Sequence, residues 1–188
     1  MSIVEKAIEI AAKAHDHQYR KTSKLPYIIH PFSVGILLLQ HGYSDIIVAA
    51  GILHDTVEDT ELTLDEIKLA FGETIAHIVR GASEENKQLS WEERKQATLD
   101  HLPNESYEVC LVVCADKLHN IRSIRRELEI EGEKVWNRFN RGRDKQAWYY
   151  RGIVRCLREK LDGEELFSQL AKEVEEVFTE KAPTKKDV

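Results

Sequence analysis

Residues 46–60 read IIVAAGILHDTVEDT, and this stretch decides how the rest of the chain is interpreted. It is apolar almost without interruption until it places an imidazole beside an acid, at His54 and Asp55. A helix that is apolar on all sides lies inside a protein, and polar groups at its buried end are costly unless something satisfies them. The pattern therefore predicts a buried helix that ends at a bound cation, with Glu58 and Asp59 close by.

Composition and charge narrow the class of protein. The chain has 188 residues, of which 42% are hydrophobic and 32% charged, as in ordinary globular proteins. We expect one domain over residues 1–182 and a polar tail over 183–188. The net charge of −6 argues against nucleic acid as a partner. No apolar run approaches the roughly 18 residues of a membrane span, so no membrane partner is expected.

Cysteine usage and the N-terminus point to a cytoplasmic protein. The chain has three cysteines, and an odd number without disulfide spacing is typical of a reducing compartment. Cys110 and Cys114 lie four positions apart in an apolar segment, so we interpret them as small core residues. Glu5 and Lys6 interrupt the N-terminal apolar pattern, which excludes a signal peptide there.

The fold class predicted is all-α, with roughly eight to ten helices and no significant sheet. Ser2, Thr63 and Ser90 each precede a glutamate by three residues, the capping-box pattern that begins a helix. The helices that begin at Thr63 and Ser90 should end near Gly72 and Pro103. Further helices are predicted over residues 32–41, 45–57, 106–129, 144–161 and 164–180, the last capped by Asp162, whereas 134–142 has no clear pattern.

Three separate places put metal-ligating residues beside apolar helix. His30 lies in PYIIHP, the pair His54–Asp55 ends the apolar helix, and Asp116 follows CLVVCA. Each alone is more often structural, but together they offer two imidazoles and two carboxylates. That set suits a divalent cation that keeps positions open for water and substrate. Nitrogen and oxygen ligands without thiolate favour Mn²⁺ or Fe²⁺ over a closed zinc site, although other divalent cations fit.

Glu58 and Asp59 are the predicted catalytic pair. On a continuing helix, Glu58 is four residues from His54, and Asp59 is four residues from Asp55, so both carboxylates lie over the metal-binding end. They can hold a water molecule and accept its proton. The alternative is a solvated acidic helix end, which the helix dipole disfavours.

Basic residues gather near these acids. They fall in three groups, around Arg20 and Lys21, within residues 117–126, and within 134–145. A solvated charged surface and a phosphate-binding surface both remain open for them. Four aromatic residues allow either a base pocket or, the interpretation we favour, core packing: Trp136, Trp148, Tyr149 and Tyr150. For His15 and His119 we expect packing or surface positions, and contact with the metal ligands is the alternative.

The ordered set RK, PYIIHP, HDTVEDT, FG, ERK and ADKLHNIRS resembles the HD-type hydrolase domain of the RelA/SpoT family of alarmone enzymes. The resemblance is collinear over about residues 3–160. The length is similar to that of the small stand-alone hydrolases of this family, so we expect no synthetase domain.

The resemblance implies an all-helical HD-domain bundle that binds Mn²⁺ and removes the 3′-pyrophosphate of guanosine alarmones such as ppGpp, a small nucleotide. It places the metal ligands at His30, His54, Asp55 and Asp116, and the catalytic acids at Glu58 and Asp59. It places nucleotide contacts at Arg20, Lys21, Asn120 and Ser123, the last replacing a threonine of the family pattern.

Two other functions stay open at this point. One is an HD phosphohydrolase that acts on another nucleotide, such as an adenosine alarmone or a nucleoside phosphate. The other is a nucleotide-binding regulator without catalysis, against which the complete set of ligands and the Glu58–Asp59 pair argue. The preference for guanine or adenine and the formation of a homo-oligomer are left open as well.

Overall fold

The computed structural model describes residues 1–20, 24–84 and 88–179. Within these ranges the chain forms ten α-helices and two 3-10 segments, and extended pairing is limited to a single bridge between Tyr19 and Pro26. The all-α prediction is confirmed. The helices are α1 (Ile3–Ala14), α2 (Ile29–Gln40), α3 (Asp45–Leu53), α4 (Thr56–Asp59), α5 (Leu64–Phe71), α6 (Glu73–Ala82), α7 (Trp91–His101), α8 (Tyr107–Glu131), α9 (Arg143–Leu161) and α10 (Glu165–Phe178).

The predicted helix starts are formed by the side chains that the sequence indicated. Ser2, Thr63 and Ser90 each accept a hydrogen bond from the third helical amide, and the glutamate there accepts one from the backbone of the capping residue. Each box satisfies amides that a helix otherwise leaves unpaired. Gly72 ends α5 with a φ of +87°, a backbone conformation that favours glycine.

Three details of the predicted helices were wrong. The helix α6 had not been recognised: its N-terminal position is Gly72, which provides no capping side chain, and packing of Ile75, Ile78 and Val79 stabilises it instead. Asp162 does not cap α10, because it ends α9 and Glu164 precedes α10. The third is the single helix predicted over 45–57, which the structure divides into α3 and α4.

The core surrounds α3 and the first half of α8. Seven of the nine residues of α3 are buried, and so is the run from Val109 to Asp116 in α8. Cys110 and Cys114 belong to this run as free, buried thiols, so their interpretation as core residues is confirmed. Among the helices of the described ranges, none combines the length and the apolarity that crossing a bilayer requires.

Two glycines bring α2 and α3 into close contact. A Cβ on Gly35 of α2 would lie 2.4 Å from Ile52 Cγ1, and a Cβ on Gly51 of α3 would lie 2.4 Å from Leu38 Cδ1. Larger residues at these positions would force the two helices apart. The same contact holds the start of α2 beside the end of α3, which is where His30 and His54 lie.

Candidate metal centre and catalytic pocket

The end of α3 is shaped by side chains that bind its last carbonyl groups. His54 Nδ1 lies 2.8 Å from the carbonyl oxygen of Gly51, and the Thr56 hydroxyl donates to the carbonyl of Leu53 at 2.7 Å. Such bonds compete with the backbone bonds of a continuing helix. The predicted single helix over 45–57 is therefore wrong: α3 ends at Leu53, and the separate short helix α4 begins at Thr56.

The carbonyl contact also fixes which nitrogen of His54 carries a hydrogen. A carbonyl oxygen only accepts, so Nδ1 donates and Nε2 of the neutral ring keeps its lone pair. His54 is 2% exposed, and its Nε2 makes no hydrogen bond although it lies 3.1 Å from Asp55 Oδ1. A buried nitrogen without a hydrogen-bond partner, next to a carboxylate, is what a metal ligand requires before the ion binds.

His30 approaches the same point from α2. Its side chain is buried in the first turn of that helix, and Nε2 lies 3.2 Å from Asp116 Oδ1 and 3.4 Å from Asp55 Oδ2. The rings of His30 and His54 are 5.2 Å apart between centroids. Ligand atoms of His30, His54 and Asp116 all lie within 4.8 Å of one another, a spacing that suits one shared cation. The structure thus brings together all four predicted metal ligands.

The acidity of these groups shows how strongly the pocket attracts positive charge. Burial by itself lowers the pKa of His54, yet the carboxylates of Asp55 and Asp116 raise it to about 9. Burial favours the neutral form of Asp116, but the Lys117 ammonium, 2.7 Å from Oδ2, holds the pKa of this carboxyl well below its usual range. His54 likewise opposes the effect of burial on Asp55 and keeps its pKa low. A divalent cation fits this donor set and its charge.

His119 supports His30 from α8. The Nδ1 atoms of the two rings are 2.7 Å apart, so one of them donates to the other. Burial lowers the pKa of His119 to about 4, and the neighbouring His30 and Arg20 contribute, so the ring is neutral near pH 7. With its Nε2 turned to the carboxylates, His30 donates through Nδ1 to His119. The expectation of a packing or surface role missed this contact, although His119 is three residues from Asp116 and on the same side of α8.

Glu58 and Asp59 occupy α4, directly after the ligand pair. Glu58 Oε2 accepts a hydrogen bond from the backbone amide of Glu84 at 3.0 Å. Burial is the largest cause of the raised pKa of Glu58, and the amide bond opposes it. The carbonyl oxygen of Asp59 accepts from the Gln18 side chain at 2.7 Å. Both carboxylates line the same cavity as three members of the metal-ligand cluster, His30, Asp55 and Asp116.

That cavity has a volume of about 760 Å³ and is lined by residues from most parts of the fold. Three of the four predicted nucleotide contacts, Arg20, Asn120 and Ser123, lie in its wall. Arg20 donates to Asn120 Oδ1 at 3.2 Å, and Asn120 donates to Asp116 Oδ1 at 2.5 Å, which connects this wall to the ligand cluster. The fourth, Lys21, lies outside the described residues.

Comparison with known proteins identifies the family. Residues 7–146 match the HD domain family. A guanosine-3′,5′-bis(diphosphate) 3′-pyrophosphohydrolase, MESH1 of Danio rerio, is 38% identical over 128 residues, which are 66% of this chain and 71% of that protein. The chain belongs to the HD domain family, in its RelA/SpoT-type branch.

Two solved structures share the fold of this HD domain. A crystal structure of a Listeria monocytogenes EGD-e protein has a TM-score of 0.74 and 37% identity, and the alignment covers 80% of this chain and 99% of that one. A structure described as a metazoan ortholog of SpoT that hydrolyses ppGpp has a TM-score of 0.79 and 25% identity. That alignment covers 94% of this chain and 96% of the other.

The aromatic residues of this HD domain divide between cavity and core. Tyr149 and Tyr150 are buried in the core, as we expected of most of these residues, and both also line the cavity. Trp136 packs against Phe178 with ring centroids 5.7 Å apart, as expected of a core residue. Trp148 packs against Trp91, and the cavity lining does not include it.

In the basic segment after α8, for which a phosphate-binding surface stayed open, two arginines pair with acids of the chain. Arg138 pairs with Glu131, and Arg141 binds Glu92 of α7 through two bonds of 2.7 and 3.0 Å. Neither arginine lines the cavity. The positive charges that do line it come from elsewhere in the sequence: Arg20, Lys95 and Lys117.

Proposed function

We propose that this chain hydrolyses the 3′-pyrophosphate of guanosine alarmones, converting ppGpp or pppGpp to GDP or GTP and pyrophosphate. The observation that carries this proposal is the buried cluster of two imidazoles and two carboxylates that shares one cavity with Glu58 and Asp59. The name of the Danio rerio relative and the description of the metazoan structure agree with that activity.

His30, His54, Asp55 and Asp116 would hold the cation, and we assign Mn²⁺ because nitrogen and oxygen donors without thiolate suit it. A divalent cation held there supplies positive charge for a phosphate oxygen and lowers the pKa of a water molecule. The hydrogen bond of His54 Nδ1 to Gly51 turns Nε2 toward this position. His119 does the same for His30 through its contact with Nδ1.

Glu58 is the proton acceptor in this proposal. Among the described residues its carboxylate accepts one hydrogen bond, at Oε2 from the Glu84 amide, which leaves Oε1 for the attacking water. Its raised pKa makes it a better base near neutral pH than an ordinary glutamate. Asp59, the next residue of α4, orients the same water.

The substrate is bound through the part of the cavity wall that adjoins the metal-ligand cluster. Arg20, Asn120 and Ser123 lie beside the cluster, and Lys21 adjoins Arg20 in sequence. A pyrophosphate brings several negative charges toward an acidic site, so the cations of the cavity, Arg20, Lys95 and Lys117, offset the repulsion. A small nucleotide suits a cavity of about 760 Å³. The free cysteines fit a reducing cytoplasm as its location.

The decisive test is turnover of a nucleotide panel. Purified protein, first treated with a chelator, is incubated with Mn²⁺ and ppGpp, pppGpp, ppApp, GTP or a nucleoside 3′-monophosphate, and products are separated by ion-exchange chromatography. We expect GDP and pyrophosphate in equal amounts from ppGpp, and no turnover without added metal. Release of orthophosphate, faster cleavage of ppApp, or binding of ppGpp without cleavage would each contradict the assignment and indicate another phosphohydrolase or a regulator.

A further inference from the structure

The hydroxyl of Tyr27 contacts two carboxylates with different roles. It lies 2.7 Å from Asp55 Oδ2 and 3.3 Å from Asp59 Oδ2. Asp55 is a proposed metal ligand and Asp59 a proposed catalytic acid, and a hydroxyl can only donate to an ionised carboxylate. One hydrogen is therefore shared between the two acids, and it reduces the repulsion between them.

Tyr27 is itself held in place by the end of α1. Its ring packs against that of His15 with centroids 5.0 Å apart, and its backbone amide donates to the carbonyl of Gln18 at 2.8 Å. His15 is 2% exposed, and its Nδ1 donates to Gln18 Oε1 at 2.8 Å. The Gln18 amide then donates to the carbonyl oxygen of Asp59 at 2.7 Å. The end of α1 therefore supports Asp59 in two ways. Tyr27, packed on His15, contacts the Asp59 side chain, and Gln18 contacts the Asp59 backbone.

Asp59 needs such support because α4 has only four residues. It is the last residue of that helix, and Thr60 after it has an extended backbone. An acid at this position is disfavoured by the helix dipole, and a helix of one turn does not hold its own end rigidly. Small displacements of a catalytic group lower the rate steeply, by as much as about 100-fold for 1 Å.

We propose that Tyr27 is a positioning residue, which fixes Asp59 relative to the metal ligand Asp55, and that His15 and Gln18 hold Tyr27 and the Asp59 backbone in that arrangement. This inference rests on the proposed function, since Asp59 must act on the water for its position to matter. Tyr27 supplies no proton to the reaction in this scheme. Its effect is exerted through the orientation of a neighbouring carboxylate.

The test is Tyr27→Phe, assayed with ppGpp at saturating Mn²⁺. Removing the shared hydrogen should lower kcat by about 10- to 100-fold, the range for partners that orient catalytic groups, with KM changed less than twofold. A higher Mn²⁺ concentration should not restore the rate, since the displaced group is Asp59. Stoichiometric Mn²⁺ binding by calorimetry and a thermal midpoint near that of the wild type should accompany the loss.

Tyr43→Phe is the matched control. Tyr43 also donates to a carboxylate at 2.7 Å, that of Glu164, but neither residue lines the cavity. This variant should lose a comparable hydrogen bond and keep the wild-type kcat. Gln18→Leu is the second variant, which removes the bonds to the Asp59 backbone and to His15 and leaves the tyrosine intact. It should lower kcat in the same direction, with KM again unchanged.

The outcomes separate this inference from the proposed function. A wild-type protein that does not cleave ppGpp contradicts the proposed function, and the inference with it. If the wild-type protein is active, three results would each contradict the inference alone. Tyr27→Phe and Gln18→Leu keep kcat within twofold, excess Mn²⁺ restores the rate of Tyr27→Phe, or KM of Tyr27→Phe rises while kcat does not change. The last result would make Tyr27 a substrate contact.

Discussion

Two groups of charged side chains in this fold differ in what surrounds them. At the end of α3, His54 is 2% exposed and its Nε2 has no hydrogen-bond partner, while Asp116 in the same cluster is 8% exposed. In the segment between α8 and α9, Arg141 remains 40% exposed and binds Glu92 through two hydrogen bonds. The first group keeps an imidazole nitrogen without a hydrogen-bond partner, whereas the second is satisfied within the chain. Charge alone therefore does not mark a binding site; buried charge that the protein leaves unsatisfied does.

Asp116→Ala should have the largest effect on Mn²⁺ affinity and turnover, because it removes a carboxylate from the buried group. The carboxylate lies 3.2 Å from His30 Nε2 and 3.9 Å from His54 Nε2, so its loss removes the ligand between the two imidazoles. We expect Mn²⁺ affinity to fall by more than about 100-fold, beyond the usual cost of losing an outer partner, and turnover to disappear with it. Calorimetric titration with Mn²⁺ and the ppGpp assay measure both.

Glu173→Gln is the control for Asp116. Glu173 is also a buried carboxylate in ion pairs with arginines, at 3.3 Å from Arg122 and 2.7 Å from Arg125, but it lies outside the cavity. Its substitution can lower the thermal midpoint and should leave Mn²⁺ affinity unchanged. Retained stoichiometric Mn²⁺ in Asp116→Ala would remove Asp116 from the ligand set and weaken the distinction between the two groups.

Glu58→Gln should separate catalysis from metal binding. The amide keeps the size of the side chain and can still accept the hydrogen bond from Glu84 but cannot take a proton from water. We expect kcat to fall by about 10²- to 10⁴-fold, the usual contribution of an acid–base group, with Mn²⁺ affinity retained. Glu61→Gln, an exposed carboxylate three residues later, is the control and should be fully active. Near-normal turnover of Glu58→Gln would exclude Glu58 as the base.

The sequence was sufficient for the features that depend on local chemistry. Three capping boxes and the apolar runs predicted most helices, and three residues proposed as metal ligands from their position beside buried segments, His30, His54 and Asp116, lie together in the structure. The helix α6 was missed because only tertiary packing stabilises its start. The break after α3 was missed because it depends on side-chain bonds to carbonyls, such as that of Thr56 to Leu53.

Hydrogen-bond partners that lie far apart in the sequence could not be predicted either. Arg141 and Glu92 are 49 positions apart, and Gln18 and Asp59 are 41 apart. No local pattern indicates such pairs, because they form only when helices pack together. For the same reason, the bond from the Glu84 amide to Glu58 was not predicted, although Glu58 and Asp59 were expected to lie near the metal ligands. Candidate site residues could be proposed from their type, whereas the groups that contact them could not.

His119→Phe tests whether Mn²⁺ binding by the buried group depends on the side chain that contacts His30. Phenylalanine keeps an aromatic ring beside His30 and removes the nitrogen 2.7 Å from His30 Nδ1. Mn²⁺ affinity should fall by about 10- to 100-fold, and His119→Gln, which retains an acceptor, should recover part of it. His77→Phe, a histidine whose ring contacts the exposed Arg80, is the control. Equal Mn²⁺ affinity in His119→Phe and the wild type would show that His30 needs no partner.

Arg141→Gln should have the smallest effect, because its charge is already used within the fold. The pair with Glu92 is partly exposed on both sides, so its loss should cost less than about 1 kcal/mol of stability. KM for ppGpp should stay within twofold, since Arg141 does not line the cavity. Arg20→Gln, at the cavity wall beside Asn120, should raise KM several-fold in the same assay. If Arg141→Gln raised KM as much as Arg20→Gln, the arginines after α8 would act on phosphate during turnover, and a position outside the cavity would no longer distinguish structural charge from binding charge.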